Sequence, residues 1–479
     1  MTDATSSGAR PGTKGAGKRP SSTKKGRTAQ AAGGEKALKP ARQLAVEALC
    51  RVNGKGGYSN LVLDGILSGG EGLPSREKGF ATALFYGVLE RQITLDRYIE
   101  SLSRIPPSKV SPLVREILRV SLYQLLYMED IPPSAAVNEG VELTRRLGQR
   151  YAAGFVNGLL RSFLRGERQL PVLPGETGAQ RLSVEYSCPL WLVEEWMDDY
   201  GEENTRSILS ASLGQPPLYA RVNTQRFTCS QLLELLAGDG VSAQPVPGPE
   251  GCTDGAVRFQ SGGIEQLEAY RAGAFHLQDL SSQLCARLTD ARPGMRVLDL
   301  CSAPGGKAFT LAQLMEDRGE LIACDLHEKR VGLIRQGAER LGLRCIQPTV
   351  NDAARFRESL GSFDRVLCDV PCSGFGIVRR KPEIKYKSPE EVRKLPEIQY
   401  KILETSANYV KEGGLLIYST CTLRREENDR VVDRFLKGHG DFVPDPLPAW
   451  LDPQGTGRIT LFPSRMDSDG FFIARLRRG

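Results

Sequence analysis

Histidine is scarce in this 479-residue sequence, and closely spaced cysteine pairs are missing from it. There are three histidines, His276, His327 and His439, and none of the 11 cysteines forms a Cys-x-x-Cys pair. Zinc sites and histidine-based catalytic centres depend on these groups, so both are poorly supported and no metal is expected. Because 11 is an odd number and the cysteines show no paired short spacing, they do not indicate a disulfide framework.

Long apolar runs are also absent. No segment approaches the roughly 18 uninterrupted apolar residues that a membrane-spanning helix needs. The N-terminus has no apolar stretch that could serve as a secretion signal. These absences exclude a transmembrane protein and a membrane partner, and they favour a reducing compartment, most simply the cytoplasm.

Basic charge is concentrated in residues 1–40, which hold nine Lys and Arg against two acidic residues. This net charge of +7 equals that of the whole chain, so residues 41–479 are balanced. The tail is rich in Gly, Ser, Thr and Ala and has no aromatic residue, so we expect it to be disordered. A weak, salt-dependent tether to RNA and a solubilising extension without a specific role both remain open.

Apolar periodicity divides the rest of the chain into three parts. Residues 41–170 have the spacing of amphipathic helices, which predicts an all-α domain. Residues 171–275 begin with a Pro- and Gly-rich linker and mix helical with extended segments, which predicts a small α+β module. Residues 276–479 alternate apolar β runs with helical stretches, which predicts an α/β doubly wound, Rossmann-like domain. The β runs lie at 296–300, 321–324, 365–370 and 415–420.

The first of these strands leads into a glycine loop, Cys301 to Lys307, and then into a helix beginning near Ala308. Its glycines let the backbone approach a ligand, and the helix start offers free N–H groups to a polar or anionic group. The loop is neither a P-loop nor a dinucleotide-binding Gly-x-Gly-x-x-Gly motif. NTP-dependent and dinucleotide-dependent enzymes are therefore disfavoured.

Acidic residues recur at the predicted strand ends. Asp325 closes the second strand, where a doubly wound sheet places a carboxylate to accept hydrogen bonds from both ribose hydroxyls. Any one such residue alone would be interpreted as a helix cap. The whole series favours a crevice that holds a nucleoside; its members are Asp299, Asp325, Asp352 and Asp369.

Cys372 and Cys421 lie just past two of the strands, beside turn residues that would expose their sulfur atoms. A thiolate is a strong nucleophile that needs no histidine partner. Together with a nucleoside cofactor, it suggests attack on carbon 6 of cytosine, which allows carbon 5 to take a methyl group from a sulfonium donor. The target base would be flipped or single-stranded. Four other cysteines are expected to fill the core: Cys301, Cys324, Cys345 and Cys368.

These motifs resemble the Sun family of RNA cytosine-5 methyltransferases, and most closely its bacterial Sun/Fmu-type 16S ribosomal RNA enzymes. The resemblance covers about 275–479. It is carried by the glycine loop, Asp-Val-Pro-Cys-Ser-Gly at 369–374, Ser-Thr-Cys at 419–421 and Asp-Gly-Phe-Phe at 469–472. The helical part resembles a NusB-like RNA-binding domain, through Arg-Glu-Lys at 76–78 and Phe-Val-Asn at 155–157 among other motifs. That second resemblance points to ribosomal RNA rather than transfer RNA.

The resemblance implies a role for each motif. Cys421 would attack carbon 6, and Cys372 would assist removal of the carbon 5 proton and release of the enzyme. Asp369 would contact the cytosine ring nitrogen, and Lys307 would lie near the reacting base. S-adenosylmethionine would be bound by Cys301, Ser302, Ala303, Pro304, Gly305, Gly306, Lys307, Asp325, Asp352 and Asp369.

Three basic residues, Arg379, Arg380 and Lys381, follow the Pro-Cys motif closely enough to meet phosphates beside a flipped base. A charge cluster of this kind is more often a solvated face. The sequence departs from the family pattern at Ala308, where threonine is common, and at Val370, where alanine is usual. Ser-Cys-Pro at 187–189 also replaces a more usual His-Pro. None of these departures removes a catalytic group, but they leave substrate choice open.

Three other functions compete with a 16S ribosomal RNA methyltransferase. A transfer RNA cytosine-5 methyltransferase would carry the same catalytic motifs. A DNA cytosine-5 methyltransferase would use Cys372 as its nucleophile and leave Cys421 idle, but it would lack the Thr-Cys motif. A non-catalytic ribosome-assembly factor would bind RNA without needing either thiol. The sequence does not determine the oligomeric state, and a monomer is favoured.

Overall fold

The computed structural model describes residues 39–55, 57–69, 73–166, 168–260 and 264–479. The basic tail predicted to be disordered over 1–40 lies outside these residues, apart from Lys39 and Pro40. No helix in the described ranges combines the length and the apolar character required to cross a membrane.

The N-terminal part is all helical, as the periodicity predicts. Sequence signals set the helix ends: Ser111 accepts a hydrogen bond from Val114 N at 3.3 Å, and Pro112 occupies the first helical position. The apolar faces meet in one core that includes Leu84, Phe85 and other fully buried side chains. The helices are α1 (Ala41–Lys55), α2 (Ser59–Ser68), α3 (Ser75–Leu102), α4 (Pro112–Tyr127), α5 (Pro133–Arg146) and α6 (Ala153–Arg165).

Helix α3 bends at Arg91, whose φ of −110° and ψ of 16° are not helical. A bend of this kind disturbs the hydrogen bonds of the helix itself. Here three side chains from later parts of the chain bond to the backbone around it, so the bend joins the helical domain to the rest of the protein. The bonds run from Tyr386 Oη to Leu89 O at 2.8 Å, from Lys385 Nζ to Glu90 O at 2.7 Å and from Ile93 N to Ser187 Oγ at 2.9 Å.

Removing one of these bonds should loosen the junction. Leu89 is fully buried, so Tyr386→Phe leaves its carbonyl without the donor that reaches it from outside the helix. We expect the free energy of unfolding of the full chain in urea to fall by about 1–2 kcal/mol. Tyr151→Phe is the control, because Tyr151 is 78% exposed and its hydroxyl bonds to nearby Gln149 on the surface. A similar loss in both variants would argue against this role for Tyr386.

The middle part contains a small antiparallel sheet, which confirms the predicted α+β module. Phe275 is buried in the core of this sheet and lies on its last strand, so the predicted boundary after residue 275 falls inside a strand. The sheet order is β2-β3-β1-β4. The elements are α7 (Gly178–Glu185), α8 (Leu190–Ala211), β1 (Leu218–Val222), α9 (Cys229–Gly238), β2 (Ala243–Pro245), β3 (Ala256–Phe259), α10 (Glu268–Arg271) and β4 (Phe275–Leu277).

The C-terminal part is an α/β domain with an eight-stranded sheet in the order β10-β12-β9-β8-β5-β6-β7, and with β11 paired to β12. Its strands are β5 (Arg296–Asp299), β6 (Glu320–Asp325), β7 (Ile346–Val350), β8 (Phe363–Asp369), β9 (Val410–Thr420), β10 (Phe442–Pro444), β11 (Arg458–Leu461) and β12 (Phe471–Arg478). Its helices are α11 (Leu280–Arg287), α12 (Gly306–Leu314), α13 (Glu328–Leu341), α14 (Pro389–Val392), α15 (Leu395–Ala407), α16 (Asp429–Gly438) and α17 (Pro463–Met466).

The parallel part of this sheet runs from β5 to β9, as predicted, but the sheet is mixed. Strand β12 is antiparallel to β9, and both β10 and β11 are antiparallel to β12. Strand β10 spans only three residues, and β11 (Arg-Ile-Thr-Leu) alternates polar and apolar residues over four positions, so neither forms an apolar run that the sequence could reveal. In β12, Arg475 and Arg477 alternate with buried residues, a pattern typical of an antiparallel strand.

The parallel arrangement brings the predicted site residues to one edge of the sheet. Asp299 is paired with Ala323 on β6 and with Leu367 on β8, and Asp369 is paired with Ser419 on β9. The carboxyl ends of these four strands therefore meet, which is where open α/β sheets bind their ligands.

Candidate active site

The glycine loop turns tightly between β5 and α12. Ser302 N donates a hydrogen bond to Cys324 O at 2.7 Å, and Gly305 N donates one to Ser302 O at 2.8 Å. Gly305 has a φ of 112°, and a Cβ there would lie 2.4 Å from the ring of Phe309, so only glycine fits. Helix α12 begins at Gly306, two residues before the predicted start. The loop backbone is thus open to close approach by a ligand.

A buried carboxylate lies at the base of this loop. Asp299 is fully buried, and although Ser302 and the backbone of Cys301 lie beside it, neither of its carboxylate oxygens makes a hydrogen bond of ordinary geometry within the described ranges. Ser302 Oγ is also buried and unpartnered there. Burial raises the pKa of Asp299 to about 7. Unpartnered buried polar atoms beside a glycine loop are the feature expected of a site for a polar ligand.

The raised pKa of Asp299 predicts a pH dependence of stability. At pH values between the unfolded and folded pKa of Asp299, this carboxyl is protonated in the folded state and ionised in the unfolded state. Its contribution to the free energy of unfolding therefore falls as pH rises and is lost above about pH 7. In the absence of cofactor, we expect the free energy of unfolding of the wild type to fall by about 2 kcal/mol relative to that of Asp299→Asn between pH 5.5 and pH 7. Urea unfolding at several pH values measures this difference. A constant difference across that range would contradict the prediction.

Asp325, at the end of β6, is linked to the glycine loop. Its carboxylate accepts a hydrogen bond from His327 N at 3.2 Å and pairs with Arg330 at 3.1 Å. Arg330 also donates to Ala303 O at 2.9 Å, which ties the carboxylate to the loop. The structure therefore brings two predicted elements, Asp325 and the glycine loop, into one crevice.

Asp352 has only local contacts. It accepts a hydrogen bond from Ala354 N at 3.0 Å and pairs with Arg355 at 3.3 Å, which is the behaviour of a turn cap. The neighbouring Asn351 is buried, with Nδ2 unpartnered in the described ranges, and its backbone N–H bonds to Asp325 O at 3.0 Å. Asn351 was not a predicted site residue, although its position at the end of a parallel strand could have identified it.

Asp369, at the end of β8, is held between two groups. Lys307 Nζ donates to its Oδ2 at 2.7 Å, and Ser419 Oγ donates to its Oδ1 at 2.8 Å. Lys307 also lies 5.0 Å from the centre of the Phe471 ring. Although burial opposes its charge, the Asp369 carboxylate raises the pKa of Lys307 above its ordinary value. The two predicted residues thus form an ion pair, which the sequence did not reveal.

The two predicted thiols are adjacent. The sulfur atoms of Cys372 and Cys421 are 3.2 Å apart, and both residues are half-buried. The hydrogen bond to Cys421, followed by burial, holds the pKa of Cys372 well above its ordinary value. Either thiol can be the donor in this contact, so the geometry alone does not distinguish their roles. Of the four cysteines predicted to fill the core, Cys324, Cys345 and Cys368 are buried, whereas Cys301, at the start of the glycine loop, is only half-buried.

Several bonds fix the two cysteine loops against each other. Ser373 Oγ and Thr422 Oγ1 are 2.7 Å apart, and Gly376 N donates to Cys421 O at 2.9 Å. Gly376 is required at its position, because a Cβ there would lie 1.9 Å from the carbonyl oxygen of Gly470. The spacing of the thiols is therefore a property of a rigid frame.

The predicted RNA-binding cluster is engaged within the chain. Two of its members form ion pairs, and the ammonium group of Lys381 lies 5.7 Å from the centre of the Tyr58 ring. Arg379 pairs with Asp467 at 2.8 Å, and Arg380 pairs with Asp469 at 2.7 Å and with Asp279 at 2.7 Å. These contacts connect the segment after Cys372 to α11 and to the residues before β12, so binding of RNA by this cluster stays a prediction.

Three family descriptions match the chain in succession. The NusB family matches residues 39–165, a ferredoxin-like domain of RsmF/B-like methyltransferases matches 188–253, and the 16S rRNA methyltransferase RsmB/F family matches 286–477. The match at 188–253 identifies the small antiparallel module as ferredoxin-like.

Curated relatives match nearly the full length. The probable ribosomal RNA small subunit methyltransferase B of Bacillus subtilis (strain 168) is 40% identical over 447 residues, covering 91% of this chain and 98% of the relative. The protein of the same name from Synechocystis sp. is 35% identical, covering 91% and 99%. The ribosomal RNA small subunit methyltransferase B of Yersinia pestis is 31% identical, covering 91% and 98%.

Solved structures share the fold. The crystal structure of PH0851 superposes with a TM-score of 0.74 at 24% identity, covering 93% of this chain and all of that chain. A methyltransferase homolog protein from Pyrococcus horikoshii gives 0.55 at 26% identity, covering 64% and 100%. NSun6 from Pyrococcus horikoshii, solved with SFG, gives 0.53 at 21% identity, covering 60% and 97%.

Proposed function

Because the chain belongs to the family of ribosomal RNA small subunit methyltransferase B proteins, we propose that it methylates carbon 5 of a cytosine in 16S ribosomal RNA with S-adenosylmethionine as donor. The observation that carries this proposal is the pair of thiols 3.2 Å apart at the carboxyl ends of two parallel strands. Carbon 5 of cytosine is a poor nucleophile until a thiolate adds to carbon 6. A thiol pair at the ligand edge of the sheet suits both that addition and its reversal.

We assign the nucleophile to Cys421, the cysteine of the Ser-Thr-Cys motif at the end of β9. After its thiol proton passes to solvent, the thiolate adds to carbon 6, and the electrons of the carbon 5–carbon 6 double bond make carbon 5 nucleophilic. After carbon 5 is methylated, its proton leaves, and the electron pair of that bond restores the carbon 5–carbon 6 double bond as the carbon 6–sulfur bond breaks. Cys421 leaves as a thiolate.

Cys372 is assigned to that last stage. Its pKa is raised chiefly by the hydrogen bond to Cys421. Once the sulfur of Cys421 is bonded to carbon, this largest cause is removed and burial remains, and Cys372 then releases its proton to solvent and accepts the proton of carbon 5. Cys421 therefore begins the reaction by adding to carbon 6, and Cys372 completes it by removing the carbon 5 proton.

The Lys307–Asp369 pair is proposed to orient the base. Asp369, fixed by Lys307 and Ser419, would accept a hydrogen bond from the ring nitrogen, which takes up a proton from solvent as carbon 6 is attacked; the carboxylate then stabilises the positive charge of the protonated ring. A group held in place beforehand stabilises such charge without reorganisation at the moment of reaction.

The crevice at the glycine loop fits a nucleoside with a charged side chain. Ser302 Oγ and Asn351 Nδ2 are buried without partners in the described ranges, and Asp325 offers a carboxylate at a strand end, as ribose hydroxyls require. Bound S-adenosylmethionine supplies an electrophilic methyl group. The proposed contacts come from the loop at 301–307 with Asp325 and Asp369, and from Asp352 through its neighbour Asn351.

The helical domain supports RNA as the substrate, because it matches the NusB family over residues 39–165. The bent helix α3 contacts Lys385 and Tyr386, which lie in the segment following the thiol of Cys372. RNA held by the helical domain would therefore lie next to the catalytic edge. Arg379, Arg380 and Lys381 are proposed to meet its phosphates, which requires part of their ion pairing to be exchanged.

Incubating the purified protein with methyl-labelled S-adenosylmethionine and separate RNA pools tests this function. We expect label in 5-methylcytosine of unmodified 16S ribosomal RNA, none in transfer RNA, and none in either pool with Cys421→Ala. Label in transfer RNA would support the transfer RNA enzyme. Cofactor binding without methylation of any RNA, including assembled subunits, would favour an assembly factor.

A further inference from the structure

Glu427 is a fully buried carboxylate to which the proposed reaction gives no role. Its Oε2 accepts hydrogen bonds from Ser373 N and from Gln399 Nε2, both at 2.9 Å, and its Oε1 accepts one from Arg424 at 3.3 Å. Ser373 follows Cys372 directly in the chain. The carboxylate therefore holds the peptide group on the C-terminal side of that thiol.

Gln399 holds the other side of the same cysteine. Its Nε2 also donates to Pro371 O at 2.9 Å, and Pro371 directly precedes Cys372. An amide nitrogen carries two hydrogens, so Gln399 can bond to Pro371 and to Glu427 at the same time. The backbone on both sides of Cys372 is thereby fixed by one carboxylate and one amide.

The charge of Glu427 is balanced inside the protein. Arg424 forms a two-bonded ion pair with Glu195 on α8, at 2.7 and 3.0 Å, and reaches Glu427 with its remaining nitrogen. A buried ionic arrangement of this kind costs desolvation energy and adds little net stability, but it fixes geometry. Here the geometry that it fixes is the position of Cys372.

The other thiol has bonds of its own that do not involve the Glu427 carboxylate, besides the contact between Ser373 Oγ and Thr422 Oγ1 that joins the two loops. Gly376 N donates to Cys421 O, and Asn428 Nδ2 donates to Thr422 O at 2.9 Å. The side-chain contacts of the Glu427 carboxylate lead instead to Ser373, Gln399 and Arg424. A change at Glu427 should thus displace Cys372 more than Cys421.

We propose that Glu427 is a positioning residue for release of the methylated RNA, acting by fixing the backbone of Cys372 so that its thiol faces Cys421. This inference rests on the proposed function, in which Cys372 serves the closing stage. Displacement of Cys372 would slow the loss of the carbon 5 proton and leave the carbon 6–sulfur bond of Cys421 unbroken. The consequence is an enzyme that transfers a methyl group but remains attached to its product.

The test compares Glu427→Gln, its neighbour Glu426→Gln and Cys372→Ala in the full chain, with S-adenosylmethionine and 16S ribosomal RNA. Glu426 is the matched control, because its side chain is 43% exposed and pairs with Arg430 on the surface. We expect Glu427→Gln to trap roughly 10- to 100-fold more covalent RNA per methyl transferred than wild type, the cost of a displaced catalytic group. Its single-turnover methyl transfer and S-adenosylmethionine affinity should stay near those of wild type, as should all properties of Glu426→Gln.

Gln399→Met provides a second variant, which frees Pro371 O while leaving the Glu427 charge in place. It should trap RNA in the same direction if Glu427→Gln folds poorly. Normal release by both variants, or loss of methyl transfer and of thermal stability without excess adduct, would overturn the inference. If Cys372→Ala itself traps no RNA, the proposed thiol roles fail instead, so the two failures are distinguishable.

Discussion

Cys372→Ala is expected to accumulate a covalent complex with RNA that survives denaturing electrophoresis, whereas Cys421→Ala should form none. Without the thiol of Cys372, the carbon 6–sulfur bond forms but does not break efficiently. Without the thiol of Cys421, carbon 5 is not activated, and methyl transfer should fall by roughly four orders of magnitude or more, as for other lost nucleophiles. Gel shift and incorporation of labelled methyl groups measure the two effects separately.

Cys229→Ala is the control for these two variants, since Cys229 is a half-buried cysteine on α9 in the small module. It should methylate RNA at the wild-type rate. An adduct from Cys421→Ala alone would reverse the assigned roles and place the chemistry closer to that of DNA cytosine-5 methyltransferases. Methylation by both single variants would remove the thiols from the mechanism.

The sequence predicted the features that depend on residues close together in the chain. The alternation of apolar strands and helices located β5, β6, β8 and β9, and parallel strands must end at the same edge, so Asp369, Cys372 and Cys421 were expected to lie near one another. Gly305 was recognisable because a strand, a turn and a helix follow in sequence. Short strands such as β10 gave no signal, because three residues carry no period.

Contacts between distant residues were beyond such patterns. Glu427 lies 54 positions from Ser373, and nothing near either residue indicates that they meet. Likewise, the sequence suggests that Arg380 is an unpaired cation, but in the fold it forms ion pairs with Asp469 and Asp279. Which charged side chains are paired within the chain therefore depends on tertiary structure, and the sequence alone does not show it.

Breaking the Lys307–Asp369 pair should have the second large effect. The side chains are 11% and 26% exposed, so removal of one partner leaves a largely buried charge uncompensated. We expect Lys307→Met and Asp369→Asn each to lower the free energy of unfolding by about 3 kcal/mol. Asp369→Asn should also reduce the methyl transfer rate by roughly 100- to 1,000-fold, through lost stabilisation of charge on the ring.

The double variant separates structure from catalysis. Lys307→Met with Asp369→Asn removes both charges, so its loss of unfolding free energy should be smaller than the sum of the two single losses, while its activity stays low. Lys411 and Asp364 form a more exposed pair at the same kind of distance, 2.8 Å, and Lys411→Met should cost less than about 1 kcal/mol. Urea unfolding and single-turnover assays on the four variants measure both effects. Recovery of activity together with stability in the double variant would mean that the pair serves the fold and does not touch the base.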